Sequence, residues 1–269
     1  MRIALGLEYD GRAFHGWQVQ TAHRSVQSVL EAALAQIAGH PVSTVTAGRT
    51  DAGVHATGQV VHFDTSANRP ESAWVRGVNS HLPDEISVNW ACPVSESFHA
   101  RFSATGRRYR YILLNRPTRP GVLAGKVGWD FHPINSRKTA EAAAKLVGTH
   151  DFTAFRAAQC QARSPVRTMT HASVRQVGEY FVFDFSANAF LHHMIRNLVG
   201  SLVYVGKGAQ SPEWIDELLS QRDRKLAAPT FMADGLYLVG VDYPPEFALP
   251  QGGGAIFPWD LPSSEGDIT

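Results

Sequence analysis

The sequence predicts an α+β fold made of two successive units in which strands and helices alternate. Stretches with the period-two alternation of half-buried strands are separated by stretches with the spacing of amphipathic helices. The same order of elements recurs in both halves. With 269 residues, of which 44% are hydrophobic, the chain can bury a sizeable core. We expect an N-terminal domain at 1–104, a C-terminal domain at 105–243 and a Pro- and Gly-rich tail at 244–269.

The first half follows a β-α-β-α-β order. Residues 2–10 alternate between the two sides of a strand, with Ile3 and Leu5 on the apolar side. A helix begins after Ser25, a suitable N-cap, and stops at Gly39. The other predicted elements of this half are strands at 58–65 and 86–90 and a helix at 71–80.

The second half repeats this order. Gly178-Glu179 is a turn signal between two strands, and Ser211-Pro212-Glu213 supplies the N-cap, first proline and first acid of a helix. The predicted elements are strands at 107–114, 170–177, 180–187 and 236–243, and helices at 136–147, at 190–205 and from 213. Two antiparallel sheets of ferredoxin-like or RRM-like type, flanked by helices, satisfy this pattern.

The composition is that of a globular protein in a reducing compartment. No apolar run approaches the eighteen or so residues needed to span a bilayer, and Glu8 and Asp10 interrupt the only place for a signal peptide. Cys92 and Cys160 have no CxxC partner, so we interpret them as reduced thiols. These features predict a cytoplasmic protein with no membrane segment.

The charges are segregated along the chain, although the formal net charge is only +1. Arginines are frequent in 101–126 and 156–175, and neither segment contains an acidic residue. Arg presents a planar fork suited to phosphates and to stacking on bases, so these segments predict a surface that faces nucleic acid. An Arg bias caused by a GC-rich genome is the alternative, and composition does not choose between them.

The segment 47–56 places one carboxylate, Asp51, between Arg49 and Gly53. Glycine permits positive φ and a close approach of the backbone to a ligand. A nearby cation could hold the carboxylate ionised or bind a substrate phosphate. For the sequence Thr-Asp-Ala-Gly taken alone, an Asx-turn that closes a loop is the alternative.

The predicted strand at 107–114 interleaves aromatic residues with arginines. Period two sends Tyr109 and Tyr111 to one face and Arg108 and Arg110 to the other. An aromatic face can stack on an unpaired base while cations hold its backbone. The alternative is a strand whose tyrosine face packs in the core.

The segment 188–197 opens an apolar helix in which Arg196 lies beside the predicted buried stripe of Leu191, Ile195, Leu198, Leu202 and Val205. A buried cation needs an anionic partner, since leaving it unpaired costs several kcal/mol. His192 and His193 suggest a metal ligand pair, but adjacent residues on a helix point about 100° apart, and the segment has no HExxH motif. We therefore predict no metal site.

These segments belong to a larger set of motifs. In chain order the set comprises Tyr9-Asp10-Gly11 with Phe14-His15-Gly16-Trp17-Gln18, the block GRTDAGVH at 48–55, FHARF at 98–102, DFTAF at 151–155, the segment 188–197, and Gly235-Leu236-Tyr237-Leu238. Together they resemble the tRNA pseudouridine synthase A family over roughly residues 1–243. The sequence departs from the family pattern at 230–234.

The resemblance implies the pseudouridine synthase fold with a central cleft between two domains, homodimers and no cofactor. It also implies isomerisation of uridine to pseudouridine at positions 38, 39 and 40 of the tRNA anticodon stem-loop. Asp51 matches the family's nucleophile and Tyr109 the tyrosine that lies against the uracil and is the candidate for proton removal. Arg196 matches the arginine paired with the catalytic Asp, and Arg49 one that flips or holds the base.

Two other functions are compatible with the fold or with the carboxylate. A noncatalytic RNA-binding or chaperone module would share the fold, but it would not need Asp51, Tyr109 and Arg196 together. A nucleoside N-glycosylase would use a similar carboxylate and would differ by releasing free uracil.

Overall fold

A computed structural model describes residues 1–250, and the remaining residues of the predicted tail lie outside the described part. The strands are β1 Arg2–Tyr9, β2 Val45–Thr46, β3 His55–Asp64, β4 Ile86–Val94, β5 Gly106–Asn115, β6 Gly128–Asp130, β7 Gly148–Asp151, β8 Val166–Val177, β9 Tyr180–Ala187 and β10 Leu236–Asp242. The α-helices are α1 Val26–Ala38, α2 Ser136–Ala144, α3 Met194–Gly206 and α4 Trp214–Gln221. The helical segment predicted at 71–80 is centred on a π-helical stretch, Ala73–Gly77.

The strands of the described part form one mixed sheet. Its order is β4-β1-β3-β10-β5-β9-β8-β7, with β2 paired to β3 and β6 paired to β5. The predicted α+β class is confirmed, but the two predicted sheets are continuous and not entirely antiparallel. The junction is β10, which pairs in parallel with β3 and antiparallel with β5. Without β10, both neighbours would present an unpaired edge, so the returning strand satisfies the backbone groups of both halves.

The predicted domain boundary at 104/105 falls between β4 and β5. β10, which the prediction assigns to the C-terminal domain, contacts strands of both halves. The largest cluster of buried side chains also extends across both halves, from Trp17 and Phe63 to Phe183 and Leu198. The division of the chain into two domains stays a prediction.

Local sequence explains most element boundaries. At the start of α1 the Ser25 hydroxyl accepts a hydrogen bond from the Ser28 backbone N–H, and the helix ends at Gly39 with a left-handed φ of 74°. The three strands that the sequence analysis did not predict, β2, β6 and β7, contain only two to four residues. Runs of this length are too short for a period-two pattern to show.

Helix α3 starts later than predicted, at Met194 and not near residue 190. His193 has a left-handed φ of 60°, which stops the helix from extending towards the N-terminus. The preceding residues form a turn in which the Met194 N–H donates to the Leu191 carbonyl at 3.0 Å. The apolar stripe was predicted correctly, since Leu191, Ile195, Leu198, Leu202 and Val205 are all buried.

The first residues of the predicted tail pack against the sheet. A 3-10 turn at Pro245–Phe247 places the Phe247 ring 5.2 Å from the ring of Phe98. In the part of the chain that the structure describes, no helix has the length and apolar character needed to cross a membrane.

Candidate active site

A cleft of about 1120 Å³ is lined by residues from both halves of the chain. The segments 44–52 and 189–196 line it, together with Arg101, Arg107 and Tyr109. All four residues that the sequence analysis selected, Arg49, Asp51, Tyr109 and Arg196, therefore border the same space. The fold brings them together although Asp51 and Arg196 are 145 positions apart in the sequence.

Asp51 lies in the short loop between β2 and β3. The loop is fixed by its backbone, because the Trp17 N–H donates to the Thr50 carbonyl at 3.0 Å and the Val54 N–H donates to the Asp51 carbonyl at 3.1 Å. Gly53 takes a left-handed φ of 78°, as the sequence analysis expected of a glycine here. The Asp51 carboxylate itself contacts side chains across the cleft, so it does more than close an Asx-turn.

The partner predicted for Arg196 is present. Arg196 Nη1 donates to Asp51 Oδ2 at 3.3 Å, and Arg196 Nε donates to the carbonyl of Phe231 at 2.8 Å. The Phe231 N–H in turn donates to the Arg196 carbonyl at 3.2 Å. The loop at 230–234, where the sequence departs from the family pattern, thus orients Arg196 through backbone groups. A loop with different side chains would offer the same backbone groups.

His192 and His193 also contact Asp51, and the sequence analysis missed this. His192 Nε2 lies 3.2 Å from Oδ1, and His193 Nε2 lies 3.3 Å from Oδ2. The prediction that the two histidine side chains diverge by about 100° was wrong, because both residues precede α3 and His193 has positive φ. Burial lowers the pKa of His193, and the charge of Asp51 opposes this effect. The sequence feature that could have indicated this contact was the pair of adjacent histidines itself.

The same three side chains have the spacing of a possible metal site. One ligand atom from each of Asp51, His192 and His193 lies within 4.8 Å of the others. In a tetrahedral zinc site with bonds near 2.1 Å, ligand atoms are about 3.4 Å apart. The two Asp–His distances are close to this value, so the residues could hold a cation. That the protein works without a metal stays a prediction.

Tyr109 lies on β5 and is almost completely buried, with 9% of its surface exposed. Its ring meets the edge of Phe190 at a centroid distance of 5.0 Å, and it lines the cleft beside Gly48. Burial raises the pKa of the Tyr109 phenol, and the charge of Asp51 raises it further. The phenol therefore stays protonated near neutral pH, which favours contact with the base over removal of a proton.

The predicted alternation along β5 is confirmed. Tyr111 is fully buried in the core, so the core alternative holds for this tyrosine, whereas Tyr109 reaches the cleft. On the opposite face, Arg108 pairs with Asp242 at 3.2 Å and Arg110 pairs with Asp184 at 2.7 Å.

Arg49 has an exposed side chain at the border of the cleft. Within residues 1–250 it has no hydrogen bond or ion pair, in contrast to Arg196. An arginine held near a cleft without an internal partner keeps its donors available for a ligand. Its position agrees with the predicted contact to the base or its phosphate, which stays a prediction.

Only some arginines of the two acid-free segments line the cleft, and that these segments face nucleic acid stays a prediction. Arg101, Arg107 and Arg167 from the two acid-free segments line the cleft. Arg108, Arg110 and Arg116 do not line it, and each pairs with an acid elsewhere in the sequence, respectively Asp242, Asp184 and Glu179. Sequence segregation did not predict these pairs because the acids come from neighbouring strands and turns that pair only in the folded sheet.

Arg107 joins the cleft segments to one another. Its guanidinium donates to the carbonyls of Ala47, Asn188 and Arg101 at 3.1, 3.0 and 2.7 Å, respectively. These carbonyls belong to the Asp51 loop, to the segment that leads to His192, and to the 98–102 segment. Arg107 therefore positions three motifs that are distant in the sequence.

The fold and the site define a class of protein: a mixed α/β enzyme with one anchored carboxylate and a buried tyrosine in an arginine-bordered cleft. The family model described as "tRNA pseudouridine synthase" matches residues 7–103 and 142–244, which include Arg49, Asp51 and Arg196 but not Tyr109. A protein of Dechloromonas aromatica named tRNA pseudouridine synthase A is 63% identical over 93% of this chain and 96% of its own length.

Two further proteins of the same name give a similar result. The one from Aromatoleum aromaticum is 61% identical over 94% of this chain and 96% of its own length. The one from Nitrosomonas eutropha is 56% identical over 93% of this chain and 90% of its own length. This chain belongs to the tRNA pseudouridine synthase family, as the resemblance predicted, and the family name describes an isomerase that makes pseudouridine in tRNA.

Among solved structures, a chain of a Cbf5-Nop10-Gar1 complex matches 74% of this chain and 53% of its own length. The TM-score is 0.31 and the identity 11%, a level of similarity that has no bearing on the site.

Proposed function

We propose that this tRNA pseudouridine synthase isomerises uridine at positions 38, 39 and 40 of the anticodon stem-loop, with Asp51 as the nucleophile. The observation that carries the proposal is the Asp51 carboxylate, paired with Arg196 at 3.3 Å in the same cleft as buried Tyr109. We further propose, from the family resemblance, that the protein acts as a homodimer in the cytoplasm.

The reaction suits a single carboxylate. The bond between N1 of uracil and C1′ breaks, the uracil turns, and a bond between C5 and C1′ forms. The proton on C5 is lost and N1 gains one, so no atom is added and no redox change occurs. An ionised Asp51 could attack C1′ or assist a glycal intermediate, and both routes need the carboxylate to face the sugar.

The other residues of the cleft prepare this step. The Phe231 carbonyl fixes the position of Arg196. Arg196 in turn holds Asp51 in place and stabilises the charge of its carboxylate. Tyr109 offers a ring against which the uracil can lie, and its phenol, kept protonated, can donate to a base oxygen. Arg49 has free donors to hold the flipped nucleotide, as extrusion is needed when the target atom lies within a helix.

The test is to incubate purified protein with unmodified tRNA transcripts and map pseudouridine by a carbodiimide-based primer-extension stop. We expect stops that report pseudouridine at positions 38 to 40 with the unaltered protein and none with Asp51→Asn. Arg108→Gln, on the opposite face of β5, is the matched control and should retain the stops.

The two alternatives give different outcomes in the same assay. Release of free uracil with an abasic site in the tRNA would identify an N-glycosylase. Binding of tRNA without any modification would identify a noncatalytic RNA-binding module. Modification at positions outside 38 to 40 would retain the enzyme class and overturn the proposed target.

A further inference from the structure

Phe102 is a large apolar side chain with 76% of its surface exposed. It lies in the segment between β4 and β5, directly after Arg101, which lines the cleft. A single exposed apolar side chain is common on protein surfaces and does not by itself indicate a partner, so the inference depends on how the backbone and the ring of Phe102 are held.

The backbone around Phe102 is held by a network centred on His99. The N–H groups of Arg101 and Phe102 both donate to His99 Nδ1, at 3.2 and 3.1 Å. The Ser103 N–H donates to the His99 carbonyl at 2.9 Å, and the His99 N–H donates to Ser103 Oγ at 3.0 Å. The position of the phenylalanine is therefore set before any ligand binds.

The ring itself is supported on one side. The imidazole of His99 stacks on it with a centroid distance of 4.3 Å and an interplanar angle of 27°. His99 in turn meets the edge of His62 at 4.9 Å. The guanidinium carbon of Arg101 lies 5.6 Å from the centre of the Phe102 ring. Arg101 therefore lies over the ring in a cation-π contact, so the segment offers both an aromatic group and a cation, the two groups that bind unpaired bases and their phosphates.

This arrangement is attached rigidly to the proposed active site. The Arg101 carbonyl accepts a hydrogen bond from Arg107 Nη2 at 2.7 Å, and Arg107 is two residues before Tyr109 on β5. A nucleotide on Phe102 would thus be placed at a fixed position relative to a uracil on Tyr109.

We propose that the exposed face of Phe102 binds an unpaired base of the RNA substrate, a neighbour of the target uridine, while Arg101 contacts its phosphate. This inference rests on the proposed function and adds a substrate-binding site to it. Stacking on an aromatic side chain is tolerant of base identity, because every base has a π face. The site therefore contributes affinity and position for different tRNA sequences. A contact with a second copy of the chain would also cover the ring, but it would not call for the cation and the connection to the cleft.

The test compares Phe102→Ala, Phe102→Trp and the control Phe131→Ala. Phe131 is 55% exposed and, unlike Phe102, has no sequence neighbour that lines the cleft. We expect Phe102→Ala to raise KM for unmodified tRNA about tenfold, with kcat within about twofold, because the stacking contact with one base is lost. Phe102→Trp should keep a normal KM, since an aromatic face is retained, and Phe131→Ala should match the unaltered protein.

Three results would overturn the inference. The first is an unchanged KM in Phe102→Ala, and the second is a raised KM that Phe102→Trp does not restore. The third is a changed mass by light scattering in Phe102→Ala, which would identify a subunit contact. If the unaltered protein made no pseudouridine, the proposed function would fail instead, and tRNA affinity of the same variants would still test the stacking site.

Discussion

Two sets of residues at the cleft differ in how many contacts their side chains make with the rest of the protein. We define the floor as Asp51, Tyr109 and Arg196, and the rim as Arg49 and Arg101, which line the cleft, with Phe102, which follows Arg101 directly. The side chains of Asp51 and Arg196 are 24% and 17% exposed and bind each other, whereas Phe102 is 76% exposed. Positions that are fixed by protein contacts suit chemistry, and positions with free donors or faces suit binding.

This difference leads to separate kinetic expectations. Floor substitutions should lower the rate of the chemical step with little change in tRNA affinity. Rim substitutions should weaken binding with little change in the maximal rate.

The largest effect is expected for Asp51→Asn and Asp51→Ala. Both should abolish pseudouridine formation and leave tRNA affinity within a few-fold, because the carboxylate reacts with the sugar and contributes little to phosphate binding. Single-turnover assays and a filter-binding titration measure the two quantities. Measurable turnover in Asp51→Ala would exclude Asp51 as the nucleophile.

Arg196→Lys should lower turnover on the order of 100-fold, the size typical of losing one positioned electrostatic contact. Lysine keeps the charge but cannot donate both to Asp51 and to the Phe231 carbonyl in a planar fork. Thermal unfolding should stay close to that of the unaltered protein. Arg110→Lys, at a part-buried arginine paired with Asp184 outside the cleft, is the control and should keep full turnover.

At the rim, Arg101→Gln should reduce the salt dependence of tRNA binding. The slope of log affinity against log salt is negative, and each lost phosphate contact reduces its magnitude by about one. Arg116→Gln is the matched control, since Arg116 pairs with exposed Glu179 and does not line the cleft. Equal slopes for both variants would show that the RNA surface lies elsewhere and would remove the distinction between floor and rim.

The sequence predicted the residues of the floor better than their surroundings. Asp51 and Arg196 lie in motifs that resemble a family, and Tyr109 lies in a predicted strand that interleaves aromatic residues with arginines, so each was selected and each borders the cleft. Their roles stay predictions. What could not be predicted depends on contacts between distant segments, such as the junction of the sheet through β10 or the bonds from Arg107 to three carbonyls. Neither leaves a periodic pattern in the sequence.

His192 shows the limit of a pattern for local geometry. Apolar spacing predicted a helix through this position, and a helix would have turned His192 and His193 apart. His193 instead has a left-handed φ, so α3 begins only after it. Both imidazoles can therefore approach Asp51. Non-glycine residues seldom adopt this conformation, so a sequence argument assigns it little weight.

A smaller effect, on stability, is expected at His62, which supports the rim. Its Nδ1 accepts the Ala100 N–H at 3.1 Å, and burial lowers the His62 pKa to about 4. Because the folded pKa is below the unfolded value of about 6.5, the stability it contributes is complete above pH 6.5 and is lost as the pH falls towards 4. Between pH 7 and 5 the loss should be roughly 1 to 2 kcal/mol.

Urea unfolding at pH 7 and pH 5 measures this loss. His62→Gln keeps an acceptor for Ala100 but does not titrate, so its free energy of unfolding should depend less on pH than that of the unaltered protein. His171→Gln, at an exposed histidine on β8, is the control and should keep the original dependence. An identical dependence in all three proteins would mean that His62 titrates normally.

The smallest effect, none within error, is expected from removal of metal ions. The isomerisation involves no redox change and no added atom, and Arg196 already supplies the positive charge beside Asp51. Dialysis against a strong chelator, followed by assay on an anticodon stem-loop folded in monovalent salt, should leave the rate unchanged. Asp51, His192 and His193 have a spacing that a cation could occupy, so the assay is repeated with added zinc and with His192→Gln. A rate lost on dialysis and restored by zinc in the unaltered protein alone would make these residues a functional metal site and would place the floor's chemistry on a metal.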